Sequence, residues 1–230
     1  MSSFLLVHGA WVGGWYWRDV AAILRADGHD VFTPTLTGMG ERSHLAAPEV
    51  NLETHIADIQ GVIEYERLDD FALIAHSYGG MVATAVADAM PERIRSLIYI
   101  DAALPQDGQA MLDLVPEERK AMNIRLAEEQ GQGFQVPGSM ILKTGITDEA
   151  AREAFMRRAC FHPLAALLQP IKLTGAFARI QNKAYIYAAK NAAPRFENYM
   201  EWAKSEPGWD GAEIDTHHYP MSTMPDETAE

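Results

Sequence analysis

Phe71-Ala72-Leu73-Ile74-Ala75-His76-Ser77-Tyr78-Gly79-Gly80 is the stretch whose reading decides the fold. Phe71 to Ala75 is an apolar run of strand length, and Met81 to Met90 carries the pattern of a helix. Between them stands a serine with small residues two positions to either side, Ala75 and Gly79. A serine at such a strand-to-helix bend is the signature of a nucleophile elbow. The small flanks are a steric need, because bulk at either position would clash in so tight a turn. The commoner pattern has glycine where this chain has Ala75, a place that tolerates a methyl group. Pentapeptides of this kind also arise by chance, so Ser77 needs partners elsewhere in the chain.

Working outward, strands alternate with helices. Phe4 to His8 reads as a buried strand, followed by Gly9-Ala10 and the glycine-rich Trp11-Val12-Gly13-Gly14. Trp17, Val20, Ala21 and Leu24 recur at helical spacing, and Gly28 is a stop. Asp30 to Thr33 is a second strand. Thr37 to His44 is a polar loop whose two glycines lack the spacing of a phosphate or dinucleotide loop. Asn51 is a candidate N-cap for a helix with apolar face Leu52, Ile56, Ile59 and Ile63. Beyond the elbow and its helix, Arg95 to Ile100 is another strand, ending at Asp101. This rhythm predicts an α/β fold, a mainly parallel sheet flanked by helices on both faces.

After Leu104 the rhythm breaks. From Gln106 to about Ala178 the pattern is helical, with starts at Pro116 and Thr147 and no strand pattern. That stretch carries Met111, Met122, Met140, Phe155, Met156 and Phe161. Such an insertion reads as a helical cap, residues 105–178, within a core formed by 1–104 and 179–230. Most of these side chains should pack the cap itself. Trp11, Met39, Met111, Phe155 and Phe161 are the candidates for a substrate pocket. Alternation resumes with a strand at Ala184 to Tyr187, a helix from about Phe196 to Lys204, and a last strand near Ala212 to Thr216 before His217-His218. Met224 to Thr228 looks like the start of a helix that then stops, as if a terminal helix had been trimmed.

Composition narrows the function. With 19 Lys plus Arg against 32 Asp plus Glu, the net charge of −13 opposes nucleic acid and anionic membrane surfaces. No apolar run approaches the roughly 18 residues a membrane span needs. Met1-Ser2-Ser3 leads straight into the first strand without the basic region of a signal peptide, and the single cysteine, Cys160, suits a reducing compartment. A cytoplasmic protein is expected, with no partner implied beyond a small-molecule substrate and the oligomeric state left open.

A serine hydroxyl becomes a useful nucleophile when a base takes its proton and a third group orients that base. In a parallel sheet all strand carboxyl ends lie on one edge. Ser77, Asp101 and His217-His218 each follow a strand, in the order serine, acid, histidine. Adjacent residues of an extended segment point to opposite sides, so only one of the two histidines should reach Ser77. Of the eight histidines, His29 reads as solvated; His44, His55 and His162 read as surface or cap residues; His8 and His76 read as holding the catalytic loops in shape. No pair has metal-ligand spacing, and no cofactor is expected.

Phe4-Leu5-Leu6-Val7-His8-Gly9-Ala10, the elbow, and His218-Tyr219-Pro220-Met221 resemble the α/β-hydrolase superfamily, specifically the small plant methylesterase and hydroxynitrile lyase group with its bacterial esterase relatives. The resemblance covers nearly the whole chain and is loosest in the cap. It implies His218 rather than His217 as the base, and an oxyanion hole from the backbone N–H groups of Ala10 and Tyr78. The lyases of that group carry threonine in place of Gly9 and lysine after the histidine, where this chain has Tyr219, which disfavours cyanohydrin cleavage. The plant acid position is matched here by Asn191, so the acid is assigned to Asp101, the alternative position within the superfamily. Asp215 is a further candidate, but too local to reach the ring from the correct side. The resulting expectation is a serine hydrolase of small, mainly apolar carboxylic esters acting through an acyl-enzyme on Ser77. Amide, carbamate or lactone hydrolysis and a non-catalytic binding protein are the alternatives.

Overall fold

Alternate residues of a strand face opposite sides, so a strand buried on both faces must be apolar throughout. The first strand, β1 (Ser3–Val7), sends Leu5 and Val7 to one core and Leu6 to the other; β3 (Phe71–His76) divides Leu73 and Ala75 from Ala72 and Ile74 in the same way. The computed structural model describes residues 1–138, 146–147, 149–191 and 194–230, the side chains of 194 and 195 excepted. Met140, read above as a cap residue, and Asp148, which follows the expected helix start at Thr147, lie outside the described residues.

The remaining strands of the main sheet are β2 (Asp30–Phe32), β4 (Ile94–Ile100), β7 (Asn182–Ala188) and β8 (Trp209–Ile214). The order is β2-β1-β3-β4-β7-β8 and every pairing is parallel. Helices α2 (Leu52–Tyr65), α3 (Gly79–Ala89) and α7 (Pro194–Ser205) supply residues to the core on one face; α1 (Arg18–Ala26) supplies the other. Asn51 caps α2 in a reciprocal capping box with Thr54, its Oδ1 accepting from the Thr54 N–H at 3.1 Å. Such a cap stabilises a helix by about 1 kcal/mol. Gly28, just past α1, adopts φ +84°, which explains the stop there.

From β1 the chain moves outward to β2, then returns across β1 to β3 and continues the other way. The crevice between the carboxyl ends of β1 and β3 is therefore the topological switch point, where ligands of open parallel sheets bind. Gly9 and Ser77 stand on its two sides.

Residues 105–178 hold α4 (Glu117–Gln130), α5 (Glu149–Met156) and α6 (Leu164–Leu168). They also hold an antiparallel ribbon, β5 (Gln135–Pro137) with β6 (Phe161–Pro163), where no strand was expected. Three-residue strands each closed by a proline are too short to show an alternating pattern, so periodicity missed them. The last strand also begins at Trp209, three residues ahead of the expected Ala212. It is an exposed edge strand with Asp210 and Glu213 in it, and it lacks the apolar run of a central one. The chain ends with α8 (Pro220–Thr223) and α9 (Pro225–Ala229), the latter against α1. Among the described residues no helix is long and apolar enough to cross a membrane.

Candidate active site

The elbow is fixed by contacts that leave no room for side chains. A Cβ on Gly79 would stand 2.7 Å from the Val7 carbonyl oxygen and 2.8 Å from that of His8; one on Gly80 would overlap the Ala103 carbonyl. The helix thus starts directly on β1, and Ser77 takes φ +52°, a left-handed conformation that costs a non-glycine residue of order 1–3 kcal/mol. Ala103 N–H and Gly80 N–H both donate to the Ser77 carbonyl, at 2.9 and 3.1 Å, and hold it there. Trp11 at φ +63° and Asp101 at φ +45° share this conformation, so the loops after β1, β3 and β4 are each bent sharply at the sheet's carboxyl edge.

Ser77 Oγ lies 2.9 Å from His218 Nε2, and His218 Nδ1 lies 2.5 Å from Asp101 Oδ2. The three residues expected from strand-end position are brought together in one hydrogen-bonded line. His217 is exposed, as alternation along an extended segment requires. The His218 ring is stacked on Phe196 at 5.5 Å, and its carbonyl accepts from His76 Nε2 at 2.7 Å. His8 donates from Nδ1 to the Gly9 carbonyl at 2.8 Å and accepts at Nε2 from the Leu36 N–H at 3.0 Å, tying the loop after β1 to the one after β2. Both histidines hold loops in shape, as read from the sequence.

Asp101 is fully buried, and a buried carboxylate is costly unless its oxygens are satisfied. Oδ1 accepts from Ala188 N–H at 3.2 Å; Oδ2 accepts from His218 and from Asn191 Nδ2, the latter at 2.5 Å. Asn191 was legible only as a missing carboxylate; its place after β7 was the available signal that it belongs to the site. Asp215 stands apart, exposed and paired with Lys190 Nζ at 2.9 Å.

Among the described residues nothing accepts a hydrogen bond from the backbone N–H of Ala10 or Tyr78. Trp11, next to Ala10, is stitched to the ribbon: its carbonyl accepts at 2.9 Å from the N–H of Cys160, just before β6, and its indole N–H donates at 3.1 Å to the carbonyl of Val136 in β5. Of the other pocket candidates, Met39 and Met111 are buried in the core on the α2 and α3 side, Phe155 packs edge-on against Tyr16 and Tyr219, and Phe161 is 38% exposed.

His55 and His162 are fully buried, which corrects the surface half of the surface-or-cap reading; no local pattern signals it, because their cover comes from distant parts of the chain. His55 Nδ1 accepts from the Tyr78 hydroxyl at 2.8 Å while Nε2 donates to the Thr37 carbonyl at 2.9 Å. His162, from β6, packs its ring 4.5 Å from that of Tyr78, and neither of its nitrogens has a partner among the described residues. Burial is the main reason that both rings resist protonation, His55 down to about pH 4 and His162 well below its ordinary value. Cys160 is partly buried, its thiol pushed up to about 11 by burial, an inert state.

Comparison with known proteins agrees with this geometry. Over 238 residues, spanning 100% of this chain and 98% of the relative, the sequence is 40% identical to the carbendazim hydrolyzing esterase of Nocardioides sp. (strain SG-4G). Methylesterase 9 of Arabidopsis thaliana is 32% identical over 106 residues, 46% of this chain and 41% of its own length. An extracellular alpha/beta-hydrolase from a Paenibacillus species, described as sharing structural and functional homology with tobacco salicylic acid binding protein 2, superposes with a TM-score of 0.87 at 26% identity, covering 100% of this chain and 96% of that one. The pattern described as the alpha/beta hydrolase family matches residues 4–230, and with a parallel sheet, a serine elbow and a serine–histidine–aspartate line in place, the chain belongs to that family.

Proposed function

We propose that this protein is a cofactor-independent serine esterase acting on small, mainly apolar carboxylic esters. The observation that carries the reading is the continuous line from Ser77 Oγ through His218 to the buried Asp101. In it, Ser77 attacks the ester carbonyl while His218 Nε2 takes its proton, and Asp101 holds the ring with Nδ1–H directed away from Ser77 and stabilises the imidazolium. The N–H groups of Ala10 and Tyr78, which have no acceptor among the described residues, receive the developing oxyanion. Each such donor typically contributes about 3–4 kcal/mol to the transition state. His218 then protonates the leaving alcohol, and a water deprotonated by the same ring releases the acid from Ser77.

Residues 105–178 act as a cap on the core of 1–104 and 179–230. Trp11, Met39, Met111 and Phe155, with Phe161 at the rim, bound the acyl and alcohol groups. The lone thiol, Cys160, fits a cytoplasmic setting.

Ser77→Ala should abolish both hydrolysis of a short-chain aryl ester and labelling by a fluorophosphonate. Unchanged turnover refutes the esterase reading, and an unlabelled wild type favours a binding protein on the same fold. One observation favours a second substrate for the same machinery: the relative 40% identical along the whole chain is named for hydrolysing carbendazim. Assaying carbendazim beside the aryl ester discriminates the two.

A further inference from the structure

We propose that Asn191 is a positioning residue which fixes the Asp101 carboxylate against His218, an inference resting on the esterase reading above. Asp101 Oδ2 carries two donors at once, His218 Nδ1 and Asn191 Nδ2, both at 2.5 Å. The amide nitrogen also lies 3.2 Å from His218 Nδ1, so the three groups form a closed triangle. Nδ1–H and the amide N–H both donate to the carboxylate, which leaves Oδ2 saturated on the side away from the ring.

The amide is delivered by a rigid turn. Asn191 N–H donates to the Ala188 carbonyl at 2.8 Å, Tyr187 Oη–H donates to the Asn191 carbonyl at 3.0 Å, and Lys190 N–H donates to the Thr216 carbonyl at 2.8 Å. The same turn supplies Ala188 N–H to the other carboxylate oxygen, and Asp101 N–H donates to the Ile186 carbonyl at 2.7 Å. Both oxygens of Asp101 are therefore held from the end of β7, and the carboxylate cannot turn about χ2 without losing a donor. When the imidazolium forms during acylation, the negative oxygen is already in line with Nδ1–H and need not reorganise. Asn191 touches neither Ser77 nor the substrate in this scheme; it acts through Asp101.

The triangle carries a second consequence. An oxygen in place of the amide nitrogen would lie within hydrogen-bond reach of His218 Nδ1, so the acid and the amide can trade places. The test uses kcat and KM for a short-chain aryl ester. Asn191→Leu should lower kcat about 10- to 100-fold, the range for losing a hydrogen bond to a charged group, with KM within about twofold. Asp101→Asn alone should lower kcat about 10,000-fold. The double variant Asp101→Asn/Asn191→Asp should recover at least about tenfold over Asp101→Asn, a rescue that a merely structural residue would not give. Wild-type kcat in Asn191→Leu, or a double variant no faster than Asp101→Asn, overturns the role of Asn191 while Ser77 labelling stands. Full turnover in Asp101→Asn removes the acid itself, and the inference with it. Should Asn191→Leu fail to fold, the rescue alone decides.

Discussion

Acidifying this protein from pH 7 to pH 5 should remove about 4 kcal/mol of folding free energy through two buried histidines, His8 and His55, with His76 and His162 adding in the same direction. His8, His55, His76 and His162 are each no more than 1% exposed. Burial is the largest cause of their reluctance to take a proton, holding His8 and His55 down to about 4 and the other two well below the ordinary 6.5. The bonds His8 and His55 donate to the Gly9 and Thr37 carbonyls oppose this, but protonating His8 Nε2 would break its bond from Leu36 N–H, and protonating His55 Nδ1 its bond from Tyr78. In the unfolded chain the same rings take protons near 6.5. Between about pH 6.5 and pH 4 the unfolded state thus holds more protons, and stability falls as pH falls, levelling only near the folded-state values. At pH 5 His8 and His55 each account for about 2 kcal/mol relative to pH 7. Their sum, about 4 kcal/mol, is a large share of a domain's whole stability of about 5–15 kcal/mol.

Urea unfolding followed by tryptophan fluorescence at several pH values from 7.5 to 5 measures this directly, the slope with denaturant giving the free energy at each pH. His55→Gln, less stable than the wild type at pH 7.5, should flatten the dependence by about 1 kcal/mol per pH unit around pH 5.5. A wild-type stability that changes by less than about 2 kcal/mol between pH 7 and pH 5 refutes the reasoning.

Asp215→Asn should leave aryl ester turnover within about twofold, because the carboxylate is exposed and among the described residues pairs with Lys190; a loss comparable to that of Asp101→Asn would reassign the acid. Gly79→Ala places a methyl group against two backbone carbonyls of the β1 end, so it should cost about 1–3 kcal/mol in thermal unfolding and lower kcat/KM together. Cys160 should alkylate with iodoacetamide at pH 8 about 100-fold more slowly in the native protein than in urea, as burial holds its thiol up near 11; equal rates by mass spectrometry would contradict the burial.

The central strands were legible because β1, β3 and β4 lie inside the sheet, where both faces demand apolar residues and the pattern is continuous. Ser77 and Asp101 were legible for a related reason, since a residue just beyond a buried strand can be placed on the sheet edge without knowing any tertiary contact. Where burial comes from distant contacts, the sequence was silent. His162 is covered by Tyr78, His55 and Trp11, none of them near it in the chain. Asn191 illustrates a different limit. An amide in an acid's place reads as a deficit until its donor is seen on Asp101 Oδ2. The start of β8 at Trp209 was not legible because an edge strand tolerates charge on the face it shows to water.

The stitching of Trp11 to Cys160 and Val136 makes the β5–β6 ribbon of the proposed cap and the proposed oxyanion donor a single mechanical unit. Lifting the ribbon to widen access would pull on Trp11 and hence on the Ala10 N–H beside it. A loosened cap would then yield a slower enzyme rather than a more permissive one. Broader specificity should come from exchanging side chains on a closed ribbon, and lengthening the connections that carry it would trade away rate.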